Sequence, residues 1–142
     1  MKIKVMYHSK GGNTKKIADA IAEAVGQVNE AVPPAYPLDN VALLFLGGAP
    51  YAGKIDKKLA DFIKTLNTSR VRNVALFGTT GSQDSAINEM KSMLKAQGIN
   101  VLDETFLCKG KYFVFFNRKH PNEADTKAAK EFAQRAVLTI KE

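Results

Sequence analysis

The residues best suited to chemistry in this sequence lie in a short stretch near its start. Ser9, Gly11, Gly12, Asn13 and Thr14 come directly before a segment with helical spacing of apolar residues. Glycine lets backbone N–H groups approach a ligand closely, and the unpaired N–H groups that open a helix favour an anion. The pattern therefore fits a phosphate-binding turn. A helix start capped by Asn13 or Thr14, with no ligand, fits it equally well.

Two further loops rich in glycine follow later in the chain. Residues 47–53 and 78–82 each come after a nearly unbroken apolar run with the length of a strand. In an open sheet of parallel strands, the loops at the carboxyl ends of the strands form the ligand crevice. The three loops are therefore expected to meet at one edge of a sheet.

The elements that must position these loops alternate between strands and helices. Apolar runs predict strands at residues 2–7, 27–32, 41–46, 74–77 and 99–107. Apolar residues at helical spacing predict helices at residues 13–25, 55–66, 87–94 and 132–140. Buried strands that alternate with helices predict parallel pairing through right-handed crossovers. We expect one α/β domain over residues 1–142, built as a three-layer α/β/α sandwich around a five-stranded parallel sheet.

Charge and composition restrict the classes of ligand and partner. Lys and Arg outnumber Asp and Glu by 21 to 14, which favours anionic ligands or acidic partners. The single cysteine excludes an internal disulfide, and no Cys/His cluster has the spacing of a metal site. No apolar run reaches the roughly 20 residues of a membrane span, and the first residues lack a signal-peptide pattern. We expect a cytoplasmic protein with no metal, no membrane span and no specific nucleic-acid partner.

All three loops resemble those of the flavodoxin family. Residues 7–14 are similar to the family's phosphate-binding signature, which commonly ends in Gly-Asn-Thr. Residues 44–53 resemble its second loop and residues 77–82 its third, and residues 120–123 open the last helix as they do in the family. The resemblance covers essentially the whole chain. It implies a flavodoxin-like sheet with strand order 2-1-3-4-5.

The resemblance also implies a cofactor and a set of residues that hold it. The cofactor is flavin mononucleotide (FMN), carried by a protein that shuttles electrons to a redox partner. Its phosphate would be held by the first loop: Ser9, Lys10, Gly11, Gly12, Asn13 and Thr14. Its isoalloxazine ring would lie between the other two loops: Ala49, Pro50, Tyr51, Ala52 and Gly53 on one side, and Gly78, Thr79, Thr80, Gly81 and Ser82 on the other. Tyr51 is the candidate for stacking on the ring, and no residue is assigned a catalytic role.

This sequence departs from the family pattern in four ways. Gly11 stands where a hydroxyl residue is common, although Lys10 can supply positive charge instead. The third loop has no aromatic residue, and residues 33–40 are too short and too rich in proline for the usual helix. The chain is basic, whereas the family is typically acidic, so its redox partner is expected to be acidic.

Several alternatives remain open at this stage. An FMN-dependent reductase of a quinone or another planar molecule would use the aromatic residues within 111–116 as a substrate site. A module of the same fold that has lost FMN would act through a partner alone. Residues 48–54 fit the nucleotide-binding pattern G-x-x-x-x-G-K, but Ile55 replaces the hydroxyl residue that binds magnesium. His8 and Cys108 are interpreted as packed residues, and an electron carrier is favoured over an enzyme.

Overall fold

A parallel β-sheet lies at the centre of the computed structural model, which describes residues 1–51, 53–80, 85–109 and 121–141. Within these residues the strands are β1 (Ile3–Tyr7), β2 (Asn29–Ala31), β3 (Val41–Gly48), β4 (Val71–Thr80), β5 (Asn100–Val101) and β6 (Phe106–Lys109). They run in the order β2, β1, β3, β4 and β5, and β6 also pairs with β4. Every one of these pairings is parallel. The predicted parallel sheet and its strand order are confirmed.

The last strand differs from the prediction. Residues 99–107 were expected to form one strand, but the described chain has two short strands there, which gives a sheet of six strands instead of five. β5 pairs with Asn73 and Val74, and β6 pairs further along β4 with residues 77–80. The interruption contains the exposed Asp103 and Glu104, and the Glu104 carboxylate binds Arg135 at 2.6 Å. These polar side chains turn the backbone away from β4 before pairing resumes.

Four helices cover the two faces of the described sheet: α1 (Asn13–Val25), α2 (Lys57–Lys64), α3 (Ser85–Ala96) and α4 (Glu123–Lys141). α1 and α4 pack over one face, on a core that includes Phe45, Phe77 and Phe132. α2 and α3 pack over the other face, on a core that includes Leu44 and Leu76. Neighbouring residues of β3 and β4 thus point to opposite cores, and the three-layer sandwich is confirmed. No helix in the described ranges is both long and apolar enough to cross a membrane.

The connection between β2 and β3 has no helix, as the proline-rich sequence predicted. Residues 33–40 run over the sheet in irregular conformation, and Val32 and Leu38 contribute buried side chains to the core beneath α2. Proline removes backbone donors and restricts the preceding residue, so this stretch cannot form a regular helix. Two apolar anchors therefore cover part of the sheet where a helix would otherwise lie.

Candidate functional site

The three glycine-rich loops meet at the carboxyl edge of the sheet. β1, β3 and β4 are neighbours, so the loops that follow them emerge side by side. The His8 N–H donates to the Gly47 carbonyl oxygen at 3.0 Å, which joins the first loop to the second. The Thr14 and Thr79 hydroxyl oxygens lie 2.7 Å apart in a buried hydrogen bond, which joins the first loop to the third. The described parts of the sequence-predicted segments therefore lie next to one another at this edge.

Glycine at the ends of β3 and β4 is required by packing. A Cβ atom on Gly47 would lie 2.1 Å from the Phe77 ring, and one on Gly78 would lie 2.7 Å from the Gly48 carbonyl oxygen. Both distances are far shorter than any real Cβ contact, and Phe77 is fully buried. Gly78, which the resemblance assigns to the cofactor, thus also allows the two strand ends to lie close together.

The first loop leaves the start of α1 open. Gly12 is the N-cap of α1 and has φ 88° and ψ −5°, a left-handed conformation that glycine adopts without strain. Its N–H donates to the Ser9 hydroxyl oxygen at 2.9 Å, which closes the turn. Within the described chain no side chain caps this helix, and its first turn has no acidic residue. A Cβ atom on Gly11 or Gly12 would meet nothing within 4 Å. The space in front of the helix N-terminus therefore suits an anion.

Asn13 and Thr14, the first two residues of α1, do not cap the helix. The Asn13 Oδ1 atom is buried and has no hydrogen-bond donor among the residues that the structure describes. The Thr14 side chain is buried and bound to Thr79. The capping alternative for these two residues is therefore wrong. The orphaned Asn13 oxygen is an acceptor that a ligand hydroxyl would satisfy.

In the second loop, a tight turn holds Tyr51 in place. Tyr51 and Lys54 exchange both backbone hydrogen bonds, at 2.6 and 3.1 Å, and Gly53 has φ 81°. Ala49, Pro50 and Tyr51 are half-buried. The turn thus presents the Tyr51 ring beside the first loop.

Some predicted residues lie outside the described ranges. Ala52, Gly81 and Ser82 are among them, as is the aromatic segment within residues 111–116. Thr80 is described as the last residue of β4, paired with Lys109. The assignment of Ala52, Thr80, Gly81 and Ser82 to the cofactor stays a prediction, like that of the other loop residues. A substrate site at residues 111–116 also stays a prediction.

The sequence analysis missed one group of side chains, which we call the Asp56 cluster: His8, Lys10, Tyr51 and Asp56. The Asp56 carboxylate lies 3.3 Å from His8 Nε2 and 3.4 Å from Lys10 Nζ. The Lys10 ammonium lies 4.4 Å from the centre of the Tyr51 ring, and the Lys10 backbone N–H donates to Tyr51 Oη at 3.1 Å. Asp56 is also the N-cap of α2. An Asp directly before a helical pattern is a recognisable capping signal, so the sequence could have pointed to Asp56 in that role.

The pKa values of His8 and Asp56 are both lowered, for different reasons. Burial of the ring lowers the pKa of His8, which Asp56 opposes and Lys10 and Lys58 reinforce. The hydrogen bond from the Lys58 backbone N–H lowers the pKa of Asp56, with His8 and Lys10 adding to the effect. The shifts favour an uncharged His8 and an ionised Asp56, and His8 Nε2 lies 3.3 Å from the Asp56 carboxylate.

Cys108 lies beside Thr79 in the sheet and is buried. Burial raises the pKa of its thiol to about 12, and Asp125 adds to the rise through its charge and a hydrogen bond. Only the thiolate is nucleophilic, so we expect the folded protein to react with Ellman's reagent at pH 8 on the order of a thousand-fold more slowly than the protein unfolded in urea. Release of thionitrobenzoate measures both rates. Equal rates would contradict this environment for Cys108.

The fold defines an α/β protein in which an uncapped helix start lies behind a glycine turn at the carboxyl edge of the sheet. Among the described residues, no three His, Cys, Asp or Glu side chains gather as metal ligands would. A family model described as a flavodoxin domain matches residues 4–114. The chain therefore belongs to the flavodoxin-domain family, and membership implies a flavin cofactor.

Individual proteins agree with this assignment. The uncharacterized protein MJ0298 of Methanocaldococcus jannaschii is 32% identical over 147 residues, which cover 94% of this chain and 97% of that protein. The flavodoxin-like domain-containing protein BilS of Clostridioides difficile is 31% identical over 123 residues, which cover 78% of this chain and 67% of BilS. The solved structure of a flavodoxin from the domain Archaea has a TM-score of 0.80 over 100% of both chains at 21% identity, which shows a shared fold.

Proposed function

We propose that this protein binds FMN at the three loops and carries electrons to an acidic redox partner protein. The observation that carries the proposal is the uncapped start of α1 behind the turn at Gly12. Helix N–H groups with no side-chain acceptor, next to a glycine turn with open space, fit a phosphate group. FMN has such a group, whereas riboflavin lacks it.

The residues of the first loop would hold the phosphate through several donors. Backbone N–H groups at the start of α1 and the Ser9 hydroxyl are available there. The Lys10 ammonium contacts Asp56 and the Tyr51 ring in this structure. Its positive charge would therefore attract the phosphate without a direct hydrogen bond. The unpartnered Asn13 Oδ1 would accept a hydrogen bond from a ribityl hydroxyl.

The other two loops would enclose the ring. Tyr51 offers an aromatic surface on one side, and the backbone of Gly78 and Thr79 forms the end of β4 on the other. The buried pair of Thr14 and Thr79 would fix the spacing of the first and third loops around the ring. When bound, FMN supplies one-electron and two-electron redox chemistry. The protein supplies position, exclusion of water and local charge.

A net charge of +7 supports an acidic partner. Opposite charges on two docking surfaces speed association and favour the correct encounter. A carrier needs only the cofactor and such a surface. A reductase of a quinone or similar planar molecule needs, in addition, room for substrate above the ring and a hydride donor.

The test distinguishes these two activities. FMN-loaded protein is reduced anaerobically with dithionite, freed of excess reductant and mixed with ferricyanide, an anionic one-electron acceptor. We expect stoichiometric oxidation that slows as salt is added, because the charge attraction is screened. We also expect NAD(P)H and a quinone to turn over no faster than with free FMN. Steady NAD(P)H turnover without another reductase would contradict the carrier role and support the reductase.

A further inference from the structure

One carboxylate connects the first loop, the second loop and α2. Asp56 Oδ2 accepts the Lys58 backbone N–H at 2.9 Å and lies 3.3 Å from His8 Nε2, while Oδ1 lies 3.4 Å from Lys10 Nζ. The first contact fixes the carboxylate on the helix. The other two tie it to side chains on either side of Ser9, so it anchors the phosphate-binding turn to the start of α2.

The two side chains that Asp56 holds are the ones that flank the Tyr51 ring. The His8 ring meets it edge to face, with ring centres 5.9 Å apart and planes at 87°. The Lys10 ammonium covers one face at 4.4 Å, in cation–π geometry. Two of the groups around the Tyr51 ring are therefore held by the same carboxylate.

We propose that Asp56 is a positioning residue for the flavin ring. It holds His8 and Lys10 against Tyr51, and so fixes the Tyr51 ring on which the flavin would stack. This inference rests on the proposed FMN site. Asp56 itself need not touch the cofactor. A ring whose neighbours are already fixed loses less conformational freedom when a ligand stacks on it.

The variant Asp56→Asn isolates this role. Asparagine caps a helix as well as aspartate does, so α2 and the fold are retained. The substitution removes the negative charge that attracts the Lys10 ammonium and that strengthens the polar contact with the His8 ring. The matched control is Asp61→Asn, which removes an equal charge from α2, where Asp61 pairs only with Lys57 among the described residues.

Affinities for FMN and riboflavin distinguish positioning from simple charge. If Asp56 orients Tyr51, D56N raises Kd for the uncharged riboflavin roughly two- to ten-fold, as expected for one side chain that must be newly immobilised, and raises Kd for FMN by no more than that. If Asp56 acts only as a nearby negative charge, its removal tightens binding of the anionic FMN and leaves riboflavin unchanged. D61N is expected to leave both affinities as they are.

A second readout needs no flavin. The sequence has two histidines, His8 and His120, so proton NMR can follow the His8 ring through a pH titration. Burial, Lys10 and Lys58 lower the pKa of His8, and the Asp56 charge raises it. Tyr51 is not among the groups that shift this pKa. D56N is therefore expected to lower the His8 pKa, and D61N to leave it unchanged.

A loss of riboflavin affinity together with a lower His8 pKa supports the inference. Unchanged affinities in D56N, tighter binding of FMN alone, or an unchanged His8 pKa would overturn it while leaving the FMN site intact. A wild-type protein that binds neither flavin would refute the proposed function, and the inference with it.

Discussion

Gly12→Val is expected to raise Kd for FMN at least on the order of 100-fold, the effect of about two lost hydrogen bonds to a charged group. Gly12 has φ 88°. A β-branched residue in that left-handed conformation costs at least about 1–2 kcal/mol, which the chain relieves by changing the turn. The N–H groups at the start of α1 then no longer converge on one phosphate. Isothermal titration calorimetry measures the loss.

The matched control is Gly26→Val at the opposite end of the same helix. Gly26 is the C-cap of α1 and has φ 69°, so valine suffers the same kind of backbone strain there. We expect both variants to lose a similar free energy of unfolding, about 1–2 kcal/mol, and only Gly12→Val to lose FMN affinity. Equal losses of affinity in the two variants would show that strain in α1, rather than the turn itself, governs binding.

Gly47→Ala is expected to lower the free energy of unfolding by roughly 2–3 kcal/mol, the upper part of the range for an overpacked core. The added methyl group would lie 2.1 Å from the Phe77 ring. Phe77 is fully buried within the core beneath α1 and α4, so it cannot move aside without disturbing its neighbours. Urea unfolding followed by circular dichroism measures the change.

Gly11→Ala is the control for that substitution. A Cβ atom on Gly11 meets nothing within 4 Å, and Gly11 is not among the glycines with positive φ. Its unfolding free energy is expected to stay within about 0.5 kcal/mol of wild type. If Gly47→Ala were as stable as Gly11→Ala, the close approach of the β3 and β4 ends would be contradicted.

The central strands were predictable because their signal is local and continuous. β3 and residues 74–79 of β4 are buried on both faces, and the unbroken apolar runs at residues 41–46 and 74–77 reflect this directly. The division of the last strand was not predicted, because apolar residues continue on both sides of Asp103 and Glu104, where the pairing with β4 is interrupted. Glu104 is held by Arg135 of α4, a contact that no short-range pattern contains.

The same limit applies to the site. The turn around Gly12 was predictable, because glycine and hydroxyl residues at the start of a helix are neighbours in the sequence. The hydrogen bond between Thr14 and Thr79 joins residues 65 positions apart, and the ion pair between Lys10 and Asp56 joins residues that are also far apart in the sequence. Such pairs arise from the order of the strands. Asp56 was visible only as a helix cap, and its second role depends on β1 and β3 lying side by side.

Parallel titrations of the wild-type protein with FMN and with riboflavin give the most direct test of the phosphate site. If the first loop holds the phosphate, FMN fluorescence is quenched on binding and FMN binds at least about ten-fold more tightly than riboflavin, a difference equal to one charge-assisted hydrogen bond. Absence of FMN binding by the folded protein, or equal affinities for the two flavins, would contradict the account.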